Sequence, residues 1–199
     1  MANKDGVAFA PGRSGQPGGP AGVRVRAHKA RLLASVLARP GSSSLLAAAT
    51  ERSFGLTLPT TPRVISSSAA CSNFDFVWSG PGHWLVESSA AGATMNELLT
   101  AFDGSASVFD QTDSRVLLDV SGPRIRDALA KGLPIDLHPT SFKVGDAAIT
   151  TASHIGLQIW QLAPEPLYRL AVARSYFISF WGWLSSSAAE YGCEISESA

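Results

Sequence analysis

The order in which apolar runs change their spacing constrains the fold of this chain more than any other feature. Residues 23–29 alternate apolar and basic side chains and residues 32–37 are apolar, so the stretch reads as one strand. Ser42, Ser43 and Ser44 offer N-caps for a helix over residues 45–54, and Gly55 stops it. Residues 57–72, rich in Thr, Pro and Ser, read as a loop. Residues 74–78 and 84–87 are strand-like and joined by Ser79-Gly80-Pro81-Gly82-His83, which predicts a hairpin. Thr94 and Glu97 have capping-box spacing and open a helix that runs to about Phe102. Residues 106–109 and 115–121 read as strands on either side of a polar turn. A short helix then starts at Ser121-Gly122-Pro123 and stops at Gly132. Ile125 and Leu129 share a face of it, and Asp127 and Lys131 are spaced for an ion pair. Three strands, residues 147–153, 156–162 and 167–172, precede a terminal helix over residues 174–191. Strands come in groups between helices, with no strict strand–helix alternation. That argues against a doubly wound parallel sheet and predicts an α+β fold with mainly antiparallel sheets, as one unit or two small lobes.

Charge divides the chain. The formal net charge is zero, yet residues 1–63 hold 9 basic and 2 acidic residues and residues 64–199 hold 7 basic and 14 acidic. Such asymmetry directs attention to a partner. Charged residues are 16% of the chain, low against a typical ~25%, so polar cover is thin. Cys71 and Cys193 stand far apart and form no C-x-x-C, which removes a disulfide framework and the usual zinc spacing and points to a reducing compartment. Residues 1–22, rich in Gly, Pro and Ala, read as a flexible tail without a signal-peptide core, and residues 194–199 as a C-terminal tail. No run approaches the ~20 apolar residues of a membrane span. The expectation is a cytoplasmic protein whose domain spans residues 23–193.

Candidate sites are few. His28, His83, His138 and His154 have no i,i+3 or i,i+4 partner among themselves, so no helical metal motif exists. No G-x-S-x-G, Walker or G-x-G-x-x-G pattern is present. Arg24, Arg26, Lys29 and Arg31, with His28 among them, form a basic patch, and Arg24 and Arg26 point to one face of a strand. No aromatic interleaves the patch and the rest of the chain is acidic, so a solvated face or an acidic protein partner suits it better than nucleic acid. Asp110, Asp113, Asp119 and Asp127 are accounted for by turn and helix chemistry. In the terminal helix Phe177, Phe180, Trp181, Leu184 and Ala188 form one stripe. Ile178 and Trp183 flank it, suited either to another chain or to the edge of the sheet.

Five segments carry a resemblance. Gly80-Pro81-Gly82-His83-Trp84-Leu85 looks like a "G-P-x-x-W-L" strand. Asp110-Gln111-Thr112-Asp113-Ser114-Arg115 is similar to "D-Q-S-D-x-R". The run from Ser121-Gly122-Pro123 through Arg126-Asp127 to Leu129-Ala130-Lys131-Gly132 resembles "S-G-P-x-A-R-D-x-L-A-K-G". Pro134-Ile135-Asp136-Leu137-His138-Pro139 with Phe142 and Gly145 matches "P-L-D-L-H-P…F…G". Arg174-Ser175-Tyr176, Trp181 and Trp183-Leu184 match "R-S-F…W…W-L". Thr112 and Ile135 are conservative departures. In this order the segments resemble the γ subunit family of heterotetrameric sarcosine oxidase, over about residues 80–192.

The resemblance implies the folate-binding-domain fold of aminomethyltransferases, such as the T-protein of glycine cleavage. It implies α, β and δ partner subunits, a complex that oxidatively demethylates sarcosine to glycine, and no membrane or nucleic-acid role. FAD, FMN, NAD and tetrahydrofolate would sit on α and β and zinc on δ, leaving no catalytic, cofactor-binding or metal residue on this chain. T-protein relatives carry a catalytic Asp after the segment that here is Gly145-Asp146-Ala147-Ala148-Ile149-Thr150. Residues 147–163 contain no Asp or Glu, and His154-Ile155-Gly156-Leu157 stands where that acid is expected. The alternatives are the equivalent subunit of an N-methylglutamate dehydrogenase-type complex and, from another class, a stand-alone folate-binding or nucleic-acid-binding protein.

Overall fold

The computed structural model describes residues 9–16, 18–28, 32–67 and 73–197. They form twelve strands and four α-helices. In chain order these are β1 (Gly12–Ser14), β2 (Val23–Ala27), β3 (Leu32–Ala38), α1 (Ser43–Phe54), β4 (Val64–Ser66), β5 (Asp75–Gly80), β6 (His83–Ser88) and α2 (Met95–Ala101). There follow β7 (Ala106–Asp110), β8 (Arg115–Ser121), α3 (Ile125–Ala130), β9 (Ala147–Ala152), β10 (Ile155–Ala163), β11 (Leu167–Ala173), α4 (Phe177–Ala188) and β12 (Cys193–Glu197). The residues fall into two compact units, one drawn from 1–29, 114–144 and 149–199, the other from 30–113 and 145–148. Among the described residues no helix is long and apolar enough to cross a membrane.

The smaller unit is built on a five-stranded sheet in the order β4-β5-β6-β3-β7, with antiparallel pairings throughout. Alternate residues turn to one face, as the period of a strand requires. Ala34 and Val36 of β3, Phe76 of β5 and Trp84 and Val86 of β6 meet Leu46, Ala49 and Phe54 of α1 and Leu98 of α2 in one core. Phe54 stacks in tilted and edge-on contacts with Phe74, Phe76 and Phe102. The hairpin forms where predicted, closed by the two residues Pro81 and Gly82, and Gly82 has φ 68°, a turn conformation open to glycine. The capping box is present: Glu97 N–H donates to Thr94 Oγ1, and Thr94 N–H donates to Glu97 Oε2 at 2.9 Å. Gly55 closes α1 in the left-handed conformation, its N–H reaching Glu51 O. Ser42 holds the N-cap position of α1 but caps nothing; its hydroxyl donates to Arg39 O or Ser105 O, both 2.6 Å away.

The larger unit is built on a seven-stranded sheet, β1-β12-β2-β8-β11-β10-β9. β12 runs parallel to β2, while β2–β8, β8–β11 and β10–β11 are antiparallel. Residues 116–120 of β8 and 168–172 of β11 are all buried, which is why these two stretches read as apolar runs with a single charge in each, Asp119 and Arg169. Of the predicted stripe of α4, Phe180, Trp181, Leu184 and Ala188 are buried, and Phe177 is half-buried.

Four expectations are corrected. The run from residue 23 to 37 is two strands in two different sheets, because apolar alternation carries no mark of where the pairing partner changes. Residues 1–22 are not all tail: Phe9 is buried and β1 pairs with β12, so backbone pairing orders a segment without a core period. Residues 194–197, expected as a C-terminal tail, belong to β12 and pair with β2. Asp127 and Lys131 do not pair; Asp127 meets Arg124 at 3.2 Å and Lys131 meets Glu190.

Candidate functional site

The densest polar chemistry lies within the larger sheet. Strand register puts Arg26 of β2, Asp119 of β8 and Arg169 of β11 side by side on consecutive strands. Residues directly opposite in antiparallel pairs share a face and lie close. Arg169 grips the carboxylate bidentately, Nε donating to Oδ1 at 2.6 Å and Nη2 to Oδ2 at 2.9 Å. Arg26 Nη2 donates to Oδ2 at 3.1 Å, and His28 Nε2 lies 2.7 Å from the same oxygen. The Asp119 side chain is 3% exposed and that of Arg26 53%. Burial pushes the Asp119 carboxyl up, but Arg169 and His28 outweigh it and hold the group well below the usual carboxylate range. Asp119 therefore stays charged and acts as a fixed anion joining three strands. This is the chemistry of a structural ion network; a general base needs the opposite, a carboxyl moved toward neutrality.

The predicted site residues take separate places. Arg24 and Arg26 do point to one face, while Val23 and Val25 are buried on the other. Both arginines, however, have acidic partners in this chain, Glu194 at 3.6 Å and Asp119 at 3.1 Å, so they do not form a free cationic face. Lys29, Arg31 and Cys71 lie outside the described residues. His138 closes its own loop: its N–H donates to Asp136 Oδ1 at 2.9 Å and its Nδ1 lies 2.8 Å from Thr140 Oγ1. Hydrogen bonds from Ser141 and from the His138 backbone hold the Asp136 carboxyl below its ordinary value. His154 is exposed in the two-residue turn between β9 and β10, with Ser153 and His154 at φ 47° and 73°. Among the described residues no group of three His, Cys, Asp or Glu is placed to hold a metal ion. Sequence reasoning missed Asp119 and His28 as partners. The signal was present, a lone charge in the apolar run of residues 116–120, since such a charge must be paired.

The segments that carried the resemblance are packing devices. Trp84 Nε1 donates to Pro59 O at 2.9 Å in the buried interior. Asp110 Oδ1 accepts from Thr112 N–H at 2.8 Å, turning the chain out of β7. A Cβ on Gly122 would sit 2.4 Å from Gly22 O, so two backbones meet there. Phe142 meets Tyr168 at 6.2 Å between ring centres. Trp183, one of the two flanking residues of α4, lies over Gly132, where a Cβ would be 2.7 Å from its ring, and 5.6 Å from Phe180. Gly132, two residues past the end of α3 and without the left-handed φ of a glycine stop, thus serves as a seat for Trp183. Arg124 and Lys131 stand 4.8 and 4.7 Å from the Tyr191 ring centre.

Comparison with known proteins bears on this arrangement. The sequence pattern of the family described as "Sarcosine oxidase, gamma subunit family" matches residues 40–190. The sarcosine oxidase subunit gamma of Corynebacterium sp. (strain P-1) is 31% identical over 160 residues, covering 80% of this chain and 76% of that protein. The sarcosine oxidase subunit gamma of Arthrobacter sp is 31% identical over 137 residues, 68% of this chain and 65% of that one. Among solved structures, the heterotetrameric sarcosine oxidase from Corynebacterium sp. U-96, in complex with pyrrole 2-carboxylate, matches with a TM-score of 0.73 and 25% identity over 85% of each chain. The glycine cleavage system aminomethyltransferase T from Bartonella henselae matches with a TM-score of 0.62 and 16% identity, over 85% of this chain and 49% of that one. That last likeness is one of fold.

Proposed function

The chain belongs to the sarcosine oxidase gamma subunit family, and on that premise we propose that it is the non-catalytic subunit of a heterotetrameric sarcosine oxidase. Its work is to pack against the α, β and δ subunits and stabilise the cytoplasmic assembly. The complex demethylates sarcosine oxidatively to glycine, hands the one-carbon unit to tetrahydrofolate or releases it as formaldehyde, and reduces oxygen to hydrogen peroxide. FAD, FMN, NAD, tetrahydrofolate and zinc are assigned to the partner subunits.

The observation that carries the reading is the carboxylate-free hairpin of β9 and β10. Residues 147–163 hold no Asp or Glu, and exposed His154 occupies the turn. The catalytic acid that the aminomethyltransferase resemblance calls for has no counterpart there. The conspicuous buried acid, Asp119, stays ionised between Arg26 and Arg169 and holds strands together. Leu45, Phe109, Ile149 and Tyr176 are each more than half exposed, large side chains of the kind a subunit interface covers.

Co-expression of this chain with α, β and δ subunits tests the proposal. A stoichiometric particle that oxidises sarcosine is expected. Recovery of an equally active and stable flavoenzyme without this chain would overturn the assembly role. Oxidation of N-methylglutamate in place of sarcosine would keep the architecture and reassign the substrate. Saturable micromolar binding of tetrahydrofolate to the isolated chain would move it to the one-carbon carriers.

A further inference from the structure

The first described residues are tied to the larger unit at several points. Phe9 is buried, its ring edge-on to Trp181 at 4.9 Å and 6.1 Å from Phe177. Gly12, Arg13 and Ser14 pair with Ile195, Glu194 and Cys193. Gln16 N–H donates to Ala189 O at 2.8 Å. Gly15 backs so tightly onto the end of α4 that a Cβ there would sit 2.2 Å from Ala189 O. Arg13 curls the following segment around itself, donating to Gly19 O at 2.6 Å and to Gly18 O at 2.9 Å.

The tie is nevertheless thin. β1 has three residues, and residues 10–13 are exposed. Gly12, Gly15, Gly18 and Gly19 all have positive φ, so the segment bends at positions where glycine moves freely. β12 beneath it is held independently by five parallel rungs to β2. Segments with few buried apolar contacts and short ladders open at lower cost than the sheet they cover.

We infer that residues 9–16 are a strap that opens and closes as a unit over β12 and α4, shielding Cys193 and the Phe177–Trp181 face when closed. Ser14 lies directly opposite Cys193, on its side of the pair. Cys193 is fully buried in the closed arrangement, and burial pushes its thiol up to about 11. Ser14 Oγ is buried beside it with no hydrogen-bond partner, so closing the strap forfeits that hydroxyl's bond to water and weights the balance toward opening. The strap is also the piece that keeps β12 from being an open edge.

The test uses the chain of residues 1–199 with Cys71→Ser, leaving Cys193 as its one thiol. The rate at which a disulfide reagent labels Cys193 is measured without denaturant at pH 8. Phe9→Ala is expected to raise that rate about tenfold or more while the urea midpoint followed by tryptophan fluorescence stays near the parent's. Deleting residues 1–16 is expected to raise it further. An unchanged rate in Phe9→Ala, or a rise that merely tracks lost global stability, would overturn the strap. Hydrogen exchange on the unmodified chain gives a second measure. The Gln16 amide should exchange well before the amides of β8 and β11, and equal protection would likewise refute the inference.

Discussion

Replacing Asp119 by Asn tests the charge network at its centre. Asn is isosteric, so packing is retained while the negative charge is lost. One acceptor oxygen remains, and an NH2 group is turned toward Arg169, which is buried and was gripped at 2.6 and 2.9 Å. Breaking a buried pair from one side typically costs about 3–5 kcal/mol, because the other charge is left uncompensated. Arg169 keeps a further interaction, so about 3 kcal/mol is expected. Arg26→Ala removes a donor that is half exposed and should cost under about 1 kcal/mol. Urea unfolding followed by tryptophan fluorescence measures both. With a slope of about 2 kcal/mol/M, the Asn variant loses roughly 1.5 M in midpoint. The pH dependence adds a second arm. A carboxyl held below its unfolded value of about 3.9 contributes stability that is fully present above that pH. Below it the unfolded state takes up the proton first, and the contribution drains away as pH falls toward the folded value. The gap between parent and variant should therefore be widest at pH 6–7 and shrink below about pH 4. A midpoint within about 0.3 M of the parent, or a gap that stays constant to pH 3, would refute the argument.

Gly132→Ala places a Cβ 2.7 Å from the Trp183 ring; either the indole or the end of α3 must move. A loss of about 1–3 kcal/mol and a shifted tryptophan emission are expected, and Trp183→Phe in the same background should recover part of it. Thr94→Ala removes the capping hydroxyl of α2 and should cost about 1 kcal/mol by denaturant midpoint, with Thr94→Ser close to neutral. Gly122→Ala, whose Cβ would fall 2.4 Å from a backbone oxygen at φ 113°, should cost more than either and reduce soluble yield.

Signals confined to a few neighbouring residues were legible in the sequence. The capping box of Thr94 and Glu97, a hairpin turn within residues 79–83, the Gly55 stop and the stripe of α4, buried at Phe180, Trp181, Leu184 and Ala188, each depend on a handful of nearby positions, and each formed. The order of elements sufficed for the antiparallel α+β class, and five short segments sufficed for the family. Tertiary structure decided what depends on residues far apart in the chain. The partner of Asp119 lies 50 positions away in Arg169 and 93 away in Arg26, and which arginine meets which acid is set by strand register. Trp183 found its seat on Gly132, and Lys131 passed over its helical neighbour Asp127 for Glu190. The split charge that suggested a partner is met in part within the chain, where Arg24 and Arg26 of the basic third reach Glu194 and Asp119 of the acidic remainder. Sequence determined which residues are apolar and which local turns are cheap. Only the folded register decided which charges meet, because the strands they ride on are brought together by the burial of their opposite faces.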